Sequence, residues 1–571
     1  MCSPPSKRRS KAGVLTPVVI KLSGGKVYDP ANKVSGEVRD IYVEDGKIVA
    51  APADGRIAQE YDIKNRVVMA GAIDPHTHIG GGKITIARML LPEDHIKDEV
   101  ARTDLTRAGT GHAVPSTMVT GYRYAEMGYT ACFEPAMLPA NARQAHMEMG
   151  DTPMVDKGAF VMLGSDDYFL RQLAAKQDFE RIKDYVAWTM HAGQAIAVKV
   201  VNPGGISAFK FNQRKLDLDE RHVYYGVTPR QIILTLARAL KELGVVHPLH
   251  VHGCNLGIPG NVESTLATIR AAEGLPLHMT HTQFLSYGTE GDRKFSSGAP
   301  RVAELVNKSP NISIDVGQVL FGQTCTASGD SMRQYAIGKS AHPKRTVIMD
   351  IECDAGCGVV PMRYRDKSFV NALQWAIGLE TFLLVEDPWR MFLTTDHPNG
   401  APFYTYPHLI RLLMDKSFRS DMLQKINPDA AAMSILPTIT REYTLDEIAI
   451  MTRAGPARSL GLKDRGHLGL GASADITVYR DNADREAMFV TPELVFKNGE
   501  LIVKNNKVVK VTQGATHVAR PAYDRAIEGP LKTYFDRYHT VRMENFKLAD
   551  EEIIDGDRGS IVVQPTRGRV A

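Results

Sequence analysis

No apolar run in the sequence approaches the ~20 residues that a bilayer-spanning helix needs, which excludes membrane insertion. Charge of one sign is scarce as well: 69 Lys and Arg stand against 65 Asp and Glu, a net +4. Four cations near the start, Lys7, Arg8, Arg9 and Lys11, are too few for a nucleic-acid surface, and no aromatic platform interleaves them. The same stretch lacks the apolar core of a signal peptide. Residues 1–14 read as a disordered extension, with a functional basic arm as the minor alternative. Cysteine is sparse, six in 571 residues, and without an export signal the thiols are expected to be reduced and the protein cytoplasmic. No Cys-x₂-Cys-x₂-Cys cluster is present, which excludes an iron–sulfur centre. Cys353 and Cys357 have no second pair beside them, which excludes a zinc knuckle. There is no internal repeat and no low-complexity tract.

The sequence does contain two β-rich blocks around a long α/β middle. In the first, Val18–Leu22 reads as a strand ended by Ser23-Gly24-Gly25, and Ile41–Val43 and Lys47–Val49 flank Asp45-Gly46, a hairpin signal. In the second, Ala474–Tyr479 is a strand and Val495–Val503 a hairpin around Asn498-Gly499. Sheets this small cannot bury a face alone, so 15–69 and 437–515 are expected to form one composite β-sandwich domain. Between them, strand-like segments (Val198–Val201, His247–His252, Leu277–His281, Ile312–Val316, Met391–Thr395) alternate with helical ones, among them Pro229–Leu243 behind a Thr228 cap, and Asn261–Glu273. Alternation over this length predicts parallel strands with crossover helices, a (β/α)₈ barrel over 70–436. Residues 516–571 are left as a C-terminal extension.

Barrel enzymes place reactive groups at the C-terminal ends of strands. The apolar run Val67–Ile73 reads as one buried strand ending in Asp74-Pro75-His76-Thr77-His78. Alternation puts His76 and His78 on one side, with Cα atoms roughly 6–7 Å apart, where they can share a metal or merely cap the strand. Other predicted strand ends carry Lys199, His252, His281 and Asp396, with His252 and His281 one βα unit apart. Six such groups on five strand ends are hard to explain as caps. They suit metal ions held by imidazoles and bridged by an anion. Lys199 is a charge inside an apolar strand. Either it snorkels out, or it is desolvated, loses its proton and forms a carbamate (N6-carboxylysine) that bridges two metals. Bound metal acidifies water, and Asp396 is placed to move a proton from that water to a leaving nitrogen. His250, two residues inward of His252, is expected either to support a ligand from behind or to be a buried hydrogen-bonded histidine, with direct metal ligation as the minor alternative. His278, three before His281, is expected to pack outside the barrel.

This constellation resembles the amidohydrolase superfamily. Within it, Val114-Pro115-Ser116-Thr117, Thr120–Ala125, Met127–Thr130, Lys199-Val200-Val201-Asn202-Pro203-Gly204-Gly205, His250–His252 with Asn255-Leu256-Gly257, Pro259-Gly260-Asn261 and Thr280–Phe284 resemble the amidohydrolase-type component of the formylmethanofuran dehydrogenase family. They are closer still to its bacterial counterpart in the formyltransferase/hydrolase complex. His397 and Gly400 look bacterial, whereas Gly253-Cys254 and Leu285 depart from the archaeal pattern. The resemblance implies one or two zinc ions on His76, His78, Lys199, His252 and His281, with Asp396 catalytic. It also implies hydrolysis of an N-formyl aminomethylfuran carrier, the carrier being substrate or bound prosthetic group, and a complex with a formyltransferase and two further subunits. The alternatives are a dehydrogenase component working with a redox partner in the reverse sense, a dihydropyrimidinase- or dihydroorotase-like cyclic-amide hydrolase, and a metal-free scaffold.

Overall fold

The computed structural model describes residues 19–328, 358–556 and 558–566. The expected disordered extension, Cys2, Cys353 and Cys357 lie outside them. The three described cysteines, Cys132, Cys254 and Cys325, are buried. Among the described residues, no helix is long and apolar enough to cross a membrane.

Both β-rich blocks enter one nine-stranded sheet. The first block's Arg66–Ala70 pairs antiparallel with the second block's Ile476–Arg480, from Ala70 opposite Ile476 to Arg66 opposite Arg480. The two hairpins turn as their sequences predict, with positive φ at Asp45-Gly46 and at Asn498-Gly499. The turn expected at Ser23-Gly24-Gly25 is a bulge instead: the strand Ile20–Asp29 runs through it, with a register shift between Leu22 and Gly25. Gly24 takes φ 76°, so the chain is kinked without leaving the sheet.

The run Val67–Ile73 is not one strand. It divides at Gly71 into Arg66–Ala70 of the composite sheet and Ala72–Asp74 (β1), the first barrel strand. A Cβ at Gly71 would collide with the Thr130 side chain, so only glycine lets the chain pass there from one sheet to the other. Continuous hydrophobicity before Gly71 has a separate cause. Val68 and Ala70 face the sheet core with Leu22, Val27 and Ile476, while Val67 and Met69 face the barrel-side core.

The barrel strands are β1, β2 (Tyr129–Met137), β3 (Asp156–Met162), β4 (Ala197–Val201), β5 (Leu249–His252), β6 (Leu277–Met279), β7 (Ile312–Asp315) and β8 (Met391–Phe392). Each is parallel to its neighbours. A parallel bridge between Thr77 and His397, with His78 N–H donating to His397 O at 2.8 Å, links the ends of the first and eighth strands and curls the sheet back on itself. The crossover helix Pro229–Leu243 forms where predicted. Thr228 and Gln231 make a reciprocal capping box, and Gly244 ends the helix in the left-handed region. The C-terminal segment also joins the barrel sheet: Thr516–Ala519 pairs in parallel with β3 and then with Ile561–Gln564.

A buried ionic cluster ties the two sheets together. Asp156 at the start of β3 receives Lys497 Nζ at 2.8 Å and Arg465 Nε at 2.7 Å, and Lys497 also reaches Asp475 at 2.7 Å. Burial opposes ionisation of Asp156, yet Lys497 and Arg465 hold its carboxyl well below the usual range. Removing one partner strands the others in low dielectric. Asp156→Asn is therefore expected to lose about 3–5 kcal/mol of stability, read as a lower urea midpoint.

Candidate metal centre at the strand ends

All six predicted residues meet at the C-terminal ends of the barrel strands. A narrow cleft is lined by His78, Lys199, His252, His281 and Asp396. His76 is fully buried beside it, with Nε2 3.0 Å from Asp396 Oδ1 and 3.4 Å from Lys199 Nζ. His78 Nε2 lies 3.2 Å from the same Asp396 oxygen. The His252 and His281 rings are 4.5 Å apart, and those of His76 and His281 5.6 Å. His281 and Asp396 leave their strands with φ of 34° and 52°. Such strained backbone is costly for non-glycine residues and clusters at functional sites.

Two carboxylates outside the predicted set orient the paired histidines. Asp315, the last residue of β7, lies 2.8 Å from His76 Nδ1, and Glu134 in β2 lies 2.8 Å from His78 Nδ1. Each is fixed in turn by backbone donors: His281 N–H at 2.6 Å to Asp315, and Ile79 N–H at 2.7 Å to Glu134. With Nδ1 engaged, both rings turn Nε2 to the centre, as metal-ligating histidines require. Asp315 ends its strand in the Ile312–Val316 run, and that position is the signal by which it could have been found.

The expected exterior position of His278 is wrong. His278 is fully buried inside the barrel, 3.1 Å from Asp315 through Nε2, and stacks on His250 with centroids 4.8 Å apart. Counting residues back from His281 fails because β6 ends at Met279 and His281 lies past it in a left-handed turn. His278 pairs across the sheet with His250, and paired residues share a face. His250 is buried and hydrogen-bonded as expected, 3.2 Å from His76 Nδ1 and 3.0 Å from His247 Nε2.

Two buried carboxylates stand among the histidines. Burial works against charging His76, but Asp315 and Asp396 outweigh it and raise its pKa to about 9. Burial also disfavours the Asp396 anion, yet His76 and His78 hold it well below the usual range. Burial keeps His252 and His281 neutral, the form that binds metal. His281 Nδ1 is buried without a hydrogen-bond partner. Burial brings Lys199 down to about 8 against the pull of Asp396 and Asp315. His76, His281 and Asp396 offer ligand atoms within 4.8 Å of one another. Imidazole nitrogens with carboxylate oxygen are a donor set that suits zinc, so the residues present fit such an ion.

The family model for the Amidohydrolase family matches residues 59–509. The chain belongs to the amidohydrolase family. This amidohydrolase is 41% identical over 538 residues to the A component of the formyltransferase/hydrolase complex Fhc of Methylorubrum extorquens, an alignment covering 93% of this chain and 97% of the relative. It is 40% identical over 553 residues to the protein FwdA of Methanocaldococcus jannaschii, covering 93% and 96%. The crystal structure of the formyltransferase/hydrolase complex from M. extorquens with methylofuran contains a chain that superposes with a TM-score of 0.89 at 40% identity, covering 96% of this chain and all of that one. The resemblance read from the Val114–Thr130, Lys199–Gly205 and Thr280–Phe284 segments is borne out. So is the expected fold, an amidohydrolase barrel of eight parallel strands with a β-rich domain.

Proposed function

We propose that this amidohydrolase cleaves the N-formyl group of an aminomethylfuran carrier to formate and free amine. It would do so in the cytoplasm as the hydrolase of a complex that holds a formyltransferase and two further chains, within the one-carbon metabolism that oxidises formaldehyde. The observation that carries this reading is the convergence of His76, His78, Lys199, His252, His281 and Asp396 on one cleft, in a chain alignable almost end to end with the Fhc component. That extent of similarity favours a linear formamide over a cyclic amide.

His76, His78, His252 and His281 would hold one or two zinc ions, with Lys199 as a bridging carbamate where two are bound. When bound, zinc would supply Lewis-acid polarisation of the formyl carbonyl and of the attacking water. Asp396 takes the proton as the water oxygen bonds to the formyl carbon, then delivers it to the carrier nitrogen as the C–N bond breaks. Asp315 and Glu134 keep the imidazoles aimed. The less favoured second reading is that the same centre condenses formate with the carrier beside a redox partner. Assaying purified complex in both directions, formate release and formate consumption, separates the two.

Metal analysis of purified protein is expected to give one or two zinc ions per chain. His78→Ala is expected to lower that content and abolish formate release, with an unchanged circular-dichroism spectrum. Unchanged zinc and activity would remove His78 from the centre.

A further inference from the structure

The turn that carries Asp396 is clasped by a hairpin that is not part of the barrel wall. Its strands, Gly322–Ser328 and Gly358–Tyr364, pair antiparallel and are inserted between β7 and β8. Asn399, 5% exposed, stands between this hairpin and the base. Its Oδ1 accepts from Ala327 N–H at 2.6 Å and from Thr326 Oγ1 at 3.1 Å. Its Nδ2 donates to Asp396 Oδ1 at 3.0 Å, the same oxygen that faces Nε2 of His76 and His78. The amide has no freedom to flip, because Ala327 N–H can only donate and an ionised Asp396 can only accept. Two more bonds hold the turn to the hairpin, from Thr324 Oγ1 to Pro398 O and from Tyr364 Oη to Asn399 O. The barrel side is equally close: a Cβ at Gly400 would collide with the Gln318 carbonyl. Thr326 and Ala327 also line the cleft.

We propose that Asn399 is the positioning residue through which the hairpin sets the Asp396 carboxylate, so that seating of the carrier against Thr326 and Ala327 bears on the base. This role rests on the proposed function, in which Asp396 moves the proton. Carboxylate placement matters because a misplacement of about 1 Å can cost on the order of 10²-fold in rate.

Asn399→Asp keeps the acceptor for Ala327 and Thr326 but exchanges the amide donor for a carboxyl group that must share a proton with Asp396. Its kcat on formylated carrier is expected to fall about 10- to 100-fold, with KM near wild type and a lower unfolding midpoint from the buried carboxyl pair. In the Asp396→Asn background the same change is expected to cost nothing further, since both act through one group. Tyr364→Phe, which removes the outer bond to the turn, is expected to lower kcat more modestly. Asn399→Ala is expected to speed hydrogen–deuterium exchange in 322–328. Wild-type kcat in Asn399→Asp, or an equal loss in the Asp396→Asn background, would overturn the positioning role; unchanged exchange in Asn399→Ala would overturn its link to the hairpin. A wild-type complex that releases no formate would instead defeat the functional reading, while the exchange result would still decide whether Asn399 anchors the hairpin.

Discussion

Asp396→Asn is expected to bind formylated carrier nearly normally and to turn it over at least about a hundredfold more slowly, since general-base assistance is typically worth ~10²–10⁴-fold. The substitution keeps the shape of the side chain, and with it the contacts to the turn. What it removes is the anion that His76 and His78 approach at 3.0 and 3.2 Å. Thr394 Oγ1, which accepts from Asp396 N–H at 2.9 Å, still fixes the backbone. Loss in kcat with little change in KM marks a group that acts in the chemical step. Zinc is to be measured in parallel: near-wild-type turnover with zinc retained would show that the base lies elsewhere, and His397 on the same turn would be tested next.

Lys199→Ala is expected to be inactive and partly rescued by short carboxylic acids. A carbamate needs an unprotonated amine, and burial in β4 brings Lys199 to about 8, within reach of neutral solution. Its Nζ faces His76 Nε2 at 3.4 Å, so oxygens added there would enter the group of imidazoles. An added carboxylate supplies two such oxygens in the space that the truncated side chain leaves. Mass spectrometry of the intact wild-type chain, under conditions that preserve carbamates, should show the added mass of one carboxyl group, absent from Lys199→Ala. No rescue together with an unmodified amine in a protein that still binds two metals would exclude the bridge. An unmodified lysine with one metal would remain compatible with a single-zinc hydrolase.

Much of this site is legible along the chain because barrel chemistry is local to strand ends. His76 and His78 follow β1, Lys199 and His252 are at or near the ends of β4 and β5, and Asp396 follows β8, each beside a recognisable apolar run. The helix Pro229–Leu243 is equally legible, since Thr228, Pro229 and Gly244 are local start and stop signals. Local signals fail where the outcome depends on a partner distant in sequence. The parity that placed His278 outside the barrel assumed a strand continuing to His281, and that strand ends two residues earlier. The run Val67–Ile73 looked like one strand because both faces of Arg66–Ala70 are buried, against two different cores. Periodicity carries no mark of that.

The sequence by itself determined which groups stand at the strand ends and so converge on one cleft, because hydrophobic alternation and the strand-end rule are properties of short segments. Only the tertiary structure decided which acids serve them. Asp315 reaches His76 across 239 residues, Glu134 reaches His78 across 56, and Ala327 of the hairpin reaches Asn399, the partner of Asp396, across 72. Those pairings arise when parallel strands curl into a barrel, and a buried polar group must then find its partner wherever closure has brought one.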